Sequence, residues 1–390
     1  MHMAYEDGMS PAWPFGYDEL EPYYTQAEQL YQVHGRHGED FTEGDWSQQY
    51  PHPPVPHEPV IQKLSDDLAA AGYQPFHAPS GVLLQQGGAC IRCNACDGFP
   101  CKVAGKSDAE TIGITPIKDL PNVTLVTNAE VRYLFRDGKD GRVNSVGARV
   151  NGEERFFYSD NVILAAGAAS TAQLLLRSGI ANSSDQVGRN YMCHNSRAVI
   201  AVGEHPNPTV FQKTLAVHDF LPFGTIQMTG KSSGQAMRDE NKLAKLCPEW
   251  TLDKIAEHAL DFWLTTEDLP LPGNRVTLAP DGSIRLAYTQ TNQRESWHLY
   301  WSLQQALRKA GHHYAYASMR IPLTAVAHQA GTARMGSDPR TSVVNEYGRA
   351  HDVENLYVAD SSVFPSIGAV NPALTVMALA LRLGGHLLEA

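Results

Sequence analysis

The residues with the most chemical potential lie in the last seventy positions. His328 opens the polar run His328-Gln329-Ala330-Gly331-Thr332-Ala333-Arg334-Met335-Gly336. A neutral imidazole can accept an alcohol proton as the neighbouring carbon gives up a hydride. Taken by itself, His328 reads first as a structural histidine, because most loop histidines are. Asp360 and Ser361 follow the apolar run Asn355-Leu356-Tyr357-Val358-Ala359, and Asn371-Pro372-Ala373-Leu374-Thr375 opens the final apolar stretch. A helix N-terminus aimed into a crevice stabilises electron-rich groups, and Asn371 stands at such a start. A second chemical signal is Cys90-x2-Cys93-x2-Cys96-x4-Cys101, four of the six cysteines within twelve positions. That spacing can gather four thiolates around one centre, either an iron–sulfur cluster or a structural zinc. Disulfides or reduced thiols fit it as well, and the spacing does not choose among them. Cys193 and Cys247 are isolated and read as buried free thiols.

These residues need a scaffold, and 390 residues that are 43% hydrophobic suffice for one large or two ordinary domains. The net charge of −11 excludes a broad nucleic-acid surface. No apolar run approaches the ~20 residues of a membrane span. Met1 to Asp7 has neither the basic flank nor the apolar stretch of a signal peptide. A first helix is expected from Tyr17, capped by Asp18 with Pro22 in its first turn, burying a face of Leu20, Tyr23, Tyr24, Ala27, Leu30 and Tyr31. The Pro/His tract from Pro51 to Pro59 must be extended, and a second helix runs from Val60 to Ala71, stopping at Gly72. Strands are expected at Val123–Val126, Val131–Phe135, Val143–Val150 and Arg155–Tyr158, with turns at Asp137-Gly138 and Asp140-Gly141. Asn161 to Gly167 reads as a buried strand feeding a helix from Ser170 to Ser178, the strand–turn–helix form that presents a ligand crevice. Further helices are expected at Leu252–Asp261, Arg294–Ala310 and Pro372–Ala390, with a hairpin at Asp281-Gly282.

The run from His328 to Thr375 closely resembles the C-terminal signature of the glucose–methanol–choline oxidoreductases, FAD-dependent enzymes that oxidise alcohols. Trp13-Pro14 with Tyr17-Asp18-Glu19-Leu20-Glu21-Pro22-Tyr23-Tyr24, and Val187-Gly188-Arg189-Asn190 with His194, match further elements of that family. The resemblance makes His328 the catalytic base and Asn371 the partner of the substrate oxygen. It places Asp360 and Ser361 by the ribityl–pyrophosphate part of FAD, and Asn371, Pro372, Ala373 and Thr375 along its ring system. It sets Val131 at the adenine and Ala166 and Gly167 at the second FAD-contacting turn. The form Cys93-Asn94-x-Cys96-Asp97-Gly98-Phe99-Pro100-Cys101 is similar to that of sugar- and glycoside-oxidising members, some of which carry an iron–sulfur cluster. The implied substrate is a sugar or glycoside, oxidised at a ring CH–OH to a ketone.

One element of the family pattern is missing: no two of the 32 glycines are separated by a single residue, so no G-x-G occurs. The expected fold class is α/β (α+β), with an FAD-binding domain that is N-terminally incomplete and a substrate domain of antiparallel sheet plus helices. The expected division is 1–80 for a helical and loop part on the substrate side, and 81–195 for an FAD segment with the Cys-rich insert. The substrate domain then spans 196–322, and the C-terminal FAD segment spans 323–390. Expected partners are a small sugar or alcohol, an electron acceptor and a missing FAD-binding segment. The rival readings are a binding or scaffold remnant of the family and an electron-transfer subunit using a Cys-bound cluster. A soluble cytoplasmic protein is the default, and a periplasmic one stays open if the chain starts after that unit.

Overall fold

The structure, a computed structural model, describes residues 11–94, 96–136, 141–240 and 244–389. Met1–Asp7, Asp137, Gly138 and Asp140, read above from sequence, lie outside the described residues, as does Ala390.

The centre of the molecule is a six-stranded antiparallel sheet in the order Ala315–Arg320, Asn195–Val202, Ala259–Thr266, Thr225–Met228, Leu215–Val217 and Pro75–His77. Alternation along these strands sends Val199, Ala201, Leu215, Ile226, Met228, Phe262 and Leu264 to one face. There they pack on Ile61, Leu64 and Leu68 of α2 (Pro59–Ala70) and on Leu299, Leu303 and Leu307 of α6 (Gln293–Lys309). A second core lies around the parallel strand pair Val162–Leu164 and Leu356–Val358, covered by α3 (Ala168–Ser178). A three-stranded antiparallel sheet, Ala129–Arg136, Val143–Val150 and Glu153–Phe157, flanks it.

α1 (Tyr17–Leu30) and α7 (Ala373–Glu389) pack together, while α4 (Gly234–Glu240) and α5 (Glu249–Glu257) form a small pair beside the main sheet. Asp18 is not the cap of α1: extended Gly16 precedes the helix without a side-chain cap, and Asp18 and Glu19 lie in its first turn. Their charge suits the positive end of the helix dipole. Pro22 sits one turn further in than expected. Of the expected buried face, Leu20 and Ala27 are buried, whereas Leu30 is exposed at the helix end.

Three other expectations change. Val123–Val126 forms no strand, and Leu125 and Val126 are exposed without a ladder partner. The helix expected at Leu252–Asp261 is α5, ending at Glu257, after which Ala259, Leu260 and Asp261 begin a central strand. There β-ladder pairing with Ile200–Val202 overrides helical periodicity. The strand in Asn161–Gly167 is only three residues long, and Ile163 is 49% exposed because this ladder has one neighbour.

Arg382 ties α7 to the N-terminal segment. Only 3% exposed, it donates to the Glu19 carboxylate and to the Glu346 carbonyl. Its guanidinium stacks on Phe15 at 4.6 Å and on Tyr347 at 4.2 Å. Arg382→Ala should therefore lower unfolding free energy by about 2–4 kcal/mol, since it strands a buried carbonyl and empties a stacked slot. Glu19→Ala, whose carboxylate is half-exposed, should remove less than about 1 kcal/mol in the same urea titration.

Candidate active site

His328 is placed by backbone pairing. The short strand Gln329–Ala330 runs antiparallel to Met192–Cys193, with Gln329 opposite Cys193. The next residues outward, His328 and His194, therefore meet, and His194 N–H donates to the His328 carbonyl at 3.3 Å. Their rings stand edge to face, 87° between planes, with Nδ1 to Nδ1 at 2.9 Å. A contact of that length between two imidazole nitrogens holds one proton. His194 is 1% exposed, and burial, followed by the neighbouring His328, pushes its pKa down to about 3. Burial, followed by the charge of Lys213, pushes His328 down to about 4. Both rings are thus neutral near pH 7.

Asn371 stands just before α7. The segment before that helix crosses the edge of the main sheet: Thr225 Oγ1 donates to the Ala369 carbonyl at 2.6 Å, and Gly368 N–H donates to Glu267 Oε1 at 3.3 Å. Gln227 Nε2 donates to Asn371 Oδ1 at 3.2 Å, which leaves the Asn371 amide nitrogen as the free donor. The backbone of Ile367 and Gly368 lies against His194, favouring a proton on its ring. His194, used by the sequence reading only as part of a family match, is the link between His328 and the asparagine segment.

A third cluster joins this site to α3. Asp360, 8% exposed, accepts from Gly167 N–H at 2.9 Å and Thr171 Oγ1 at 2.6 Å through one oxygen. Its other oxygen accepts from Ser362 N–H at 2.8 Å and Ser362 Oγ at 2.5 Å. Ser361 Oγ donates to the Gln329 carbonyl at 2.5 Å, and Gly331 N–H returns to the Ser361 carbonyl at 3.2 Å. Gly167 has φ +82°, a left-handed conformation that a side chain would strain. The structure thus brings Ala166, Gly167, Asp360 and Ser361 together. Thr375, one turn into α7, bonds the Tyr24 hydroxyl at 2.8 Å, with Pro372 buried and Ala373 exposed beside it. Val131 lies on the separate three-stranded sheet and is 42% exposed.

The cysteine segment is built differently from the expected cluster. All four thiols are free, and among the described residues no group of three or more His, Cys, Asp or Glu side chains is placed to hold a metal ion. The Lys106 ammonium closes the loop instead, donating to the carbonyls of Cys96 at 2.5 Å and Phe99 at 2.7 Å. A cation in that position opposes a second one. Asp97 anchors the loop to the main sheet through Lys213, Thr229 Oγ1 at 2.7 Å and Gly230 N–H at 2.6 Å. The iron–sulfur reading, and the electron-transfer role built on it, has no support in this arrangement. Cys193 is buried as expected, whereas Cys247 is exposed.

The two halves of a GMC oxidoreductase family pattern match the chain in order, the N-terminal half over residues 14–196 and the C-terminal half over 260–380. Paromamine 6'-oxidase of Streptomyces fradiae is 31% identical across 96% of this chain and 72% of its own length. The 6'''-hydroxyparomomycin C oxidase of Streptomyces lividus is 28% identical across 97% and 73%. Pyridoxine 4-oxidase from Mesorbium loti superposes over 96% of this chain and 78% of its own, with a TM-score of 0.63 at 18% identity. No helix among the described residues is long and apolar enough to cross a membrane. The chain belongs to the GMC oxidoreductase family, oxidoreductases that act on CH–OH groups.

Proposed function

We propose that this chain oxidises an alcohol group of a sugar or glycoside, a ring CH–OH to a ketone, with FAD as the oxidant and His328 as the base. The observation that carries the reading is the neutral pair of half-buried His328 and buried His194. The residues present suit FAD: Ala166 and Ile163 leave apolar surface open beside Gly167, and a Cβ built on Gly167 would meet nothing within 4 Å. Two positive helix ends, those of α3 and α7, lie at this surface and at Asn371, where electron-rich groups are stabilised. Ala166, Gly167, Asp360 and Ser361 would line one part of the group, Asn371, Pro372, Ala373 and Thr375 another, and Val131 the adenine end. Bound FAD supplies the acceptor for the hydride that leaves the carbinol carbon.

The chain's own residues handle the proton. This reading places the His194 proton on Nε2, a buried nitrogen with no hydrogen-bond partner among the described residues, which leaves His194 Nδ1 as the acceptor. His328 then donates its Nδ1–H across the 2.9 Å contact, and its Nε2 carries a bare lone pair. That nitrogen takes the hydroxyl proton. The Asn371 amide, oriented by Gln227, donates to the same substrate oxygen and stabilises the negative charge that develops there. The sugar assignment draws support from the two Streptomyces oxidases named above.

His328→Ala, reconstituted with FAD, should reduce the flavin at least ~100-fold more slowly when mixed anaerobically with substrate, at unchanged FAD content. Wild-type-like reduction would remove His328 from the mechanism. The pH profile follows from the depressed pKa of His328. Its base form is fully present above about 5, so kcat/KM should be flat from pH 6 to 8 and fall as pH drops through about 4. An acid limb near the ordinary histidine value of about 6.5 would instead assign the base to an unburied group.

A further inference from the structure

The main sheet has a second face, away from α2 and α6, that none of the assignments above uses except at Gln227. The register pairs Ala216 with Gln227, Gln227 with Trp263, Trp263 with Ala198, and Ala198 with Met319. Directly paired residues point to the same side of a sheet. The neighbours of Trp263 in its strand, Phe262 and Leu264, are buried in the core with α6, so Trp263 faces the other way with Gln227. Gln227, Trp263, Ala198 and Met319 are all half-buried, a band of surface rather than a packed core.

Both ends of that band are closed. Two residues from Gln227 along its strand, Thr225 is bonded to Ala369, so one end is the segment that carries Asn371. Two residues the other way, Thr229 is bonded to Asp97, so the far end is the cysteine segment with its Asp97–Lys213 ion pair. The charge of Lys213 acts on His328, so that end lies within electrostatic reach of His328. From Thr225 to Thr229 an extended strand spans about 13 Å, longer than one sugar ring. Trp46 stacks on another ring, and Trp13, Trp297 and Trp301 each meet one edge-on. Among the described residues no ring packs on Trp263. The band therefore offers at its centre a half-buried indole that no other ring covers, with hydrogen-bonding groups at its two ends.

We infer that Trp263 is the platform on which the ring of the sugar or glycoside substrate lies. The axial C–H face of a pyranose is apolar while its hydroxyls radiate from the rim, and this suits an indole floor with polar groups at the ends. One rim hydroxyl reaches the Gln227–Asn371 end, where the proposed oxidation occurs, and others meet the Asp97–Lys213 pair. The cysteine segment then acts through Asp97, as a wall of the substrate groove. The inference rests on the reading of the site as a sugar oxidase, and its test separates the two.

The test is calorimetric titration of the FAD-loaded full chain with methyl α-D-glucopyranoside and with glucitol, which carries similar hydroxyls but no ring face. Wild type should bind the pyranoside more tightly than glucitol. Trp263→Leu should weaken pyranoside binding about tenfold and abolish the preference, and Trp263→Phe should restore most of it. In steady state the Leu variant should raise KM far more than it lowers kcat. If the Leu variant does not melt cooperatively, Trp263→Phe carries the test, with a loss of two- to threefold. Pyranoside binding that depends on Trp263 without oxidation would uphold the platform and sink the oxidase reading. An equal Kd in wild type and the Leu variant, or no preference for the pyranoside in wild type, overturns the platform even if the sugar is oxidised.

Discussion

The carboxylate of Asp360 holds the candidate site in register. The strands Val162–Leu164 and Leu356–Val358 are parallel, so their carboxyl ends lie side by side and deliver Gly167 and Asp360 to each other. Four hydrogen bonds then fill the two oxygens, from Gly167, Thr171 and twice from Ser362. A carboxylate at the amino end of α3 is stabilised by that helix, and its donors have no water to turn to instead. From Asp360 the order passes to Ser361, which grips the Gln329 carbonyl, and Gln329 is the ladder partner of Cys193. His328 and His194 meet only because that ladder ends where it does. His328 is thus positioned through backbone and short polar side chains, which are stiffer than a chain of long ones.

Burial then determines what the positioned rings can do. Two imidazoles in water would both titrate near neutrality, but here desolvation outweighs every other influence and keeps both uncharged. The main sheet supports this with one apolar face under α2 and α6. The same sheet orients Asn371 through Gln227, so its two faces divide the work between stability and chemistry.

Much of this was legible in the sequence because it is carried by local signals. The helix of Gln293–Lys309, the turn at Gly167 and the His328 and Asn371 motifs all depend on residue types at short spacing. The misreadings share a different cause. Ala259–Asp261 became strand because Val202 and its neighbours pair with it from some sixty positions away. His194 had no local mark of its partnership with a residue 134 positions later. The cysteine spacing was compatible with a metal, but Lys106 and Asp97 close that loop by hydrogen bonds to carbonyls and to the sheet. Nor could spacing reveal that Trp263 and Gln227 are neighbours, since register is a property of the assembled sheet.

The Nδ1-to-Nδ1 contact also fixes the direction of proton traffic. A proton gained at His328 Nε2 could move inward only if His328 released its Nδ1 proton to His194, and that would place a full positive charge on a ring that is 1% exposed. The ring resists that charge down to about pH 3. The inward path is therefore closed by solvation energy even though the hydrogen bond is in place. In the proposed reaction a proton collected by His328 would leave by the side from which it entered, so the base would be reset only when that side admits water or an acceptor that takes protons along with electrons.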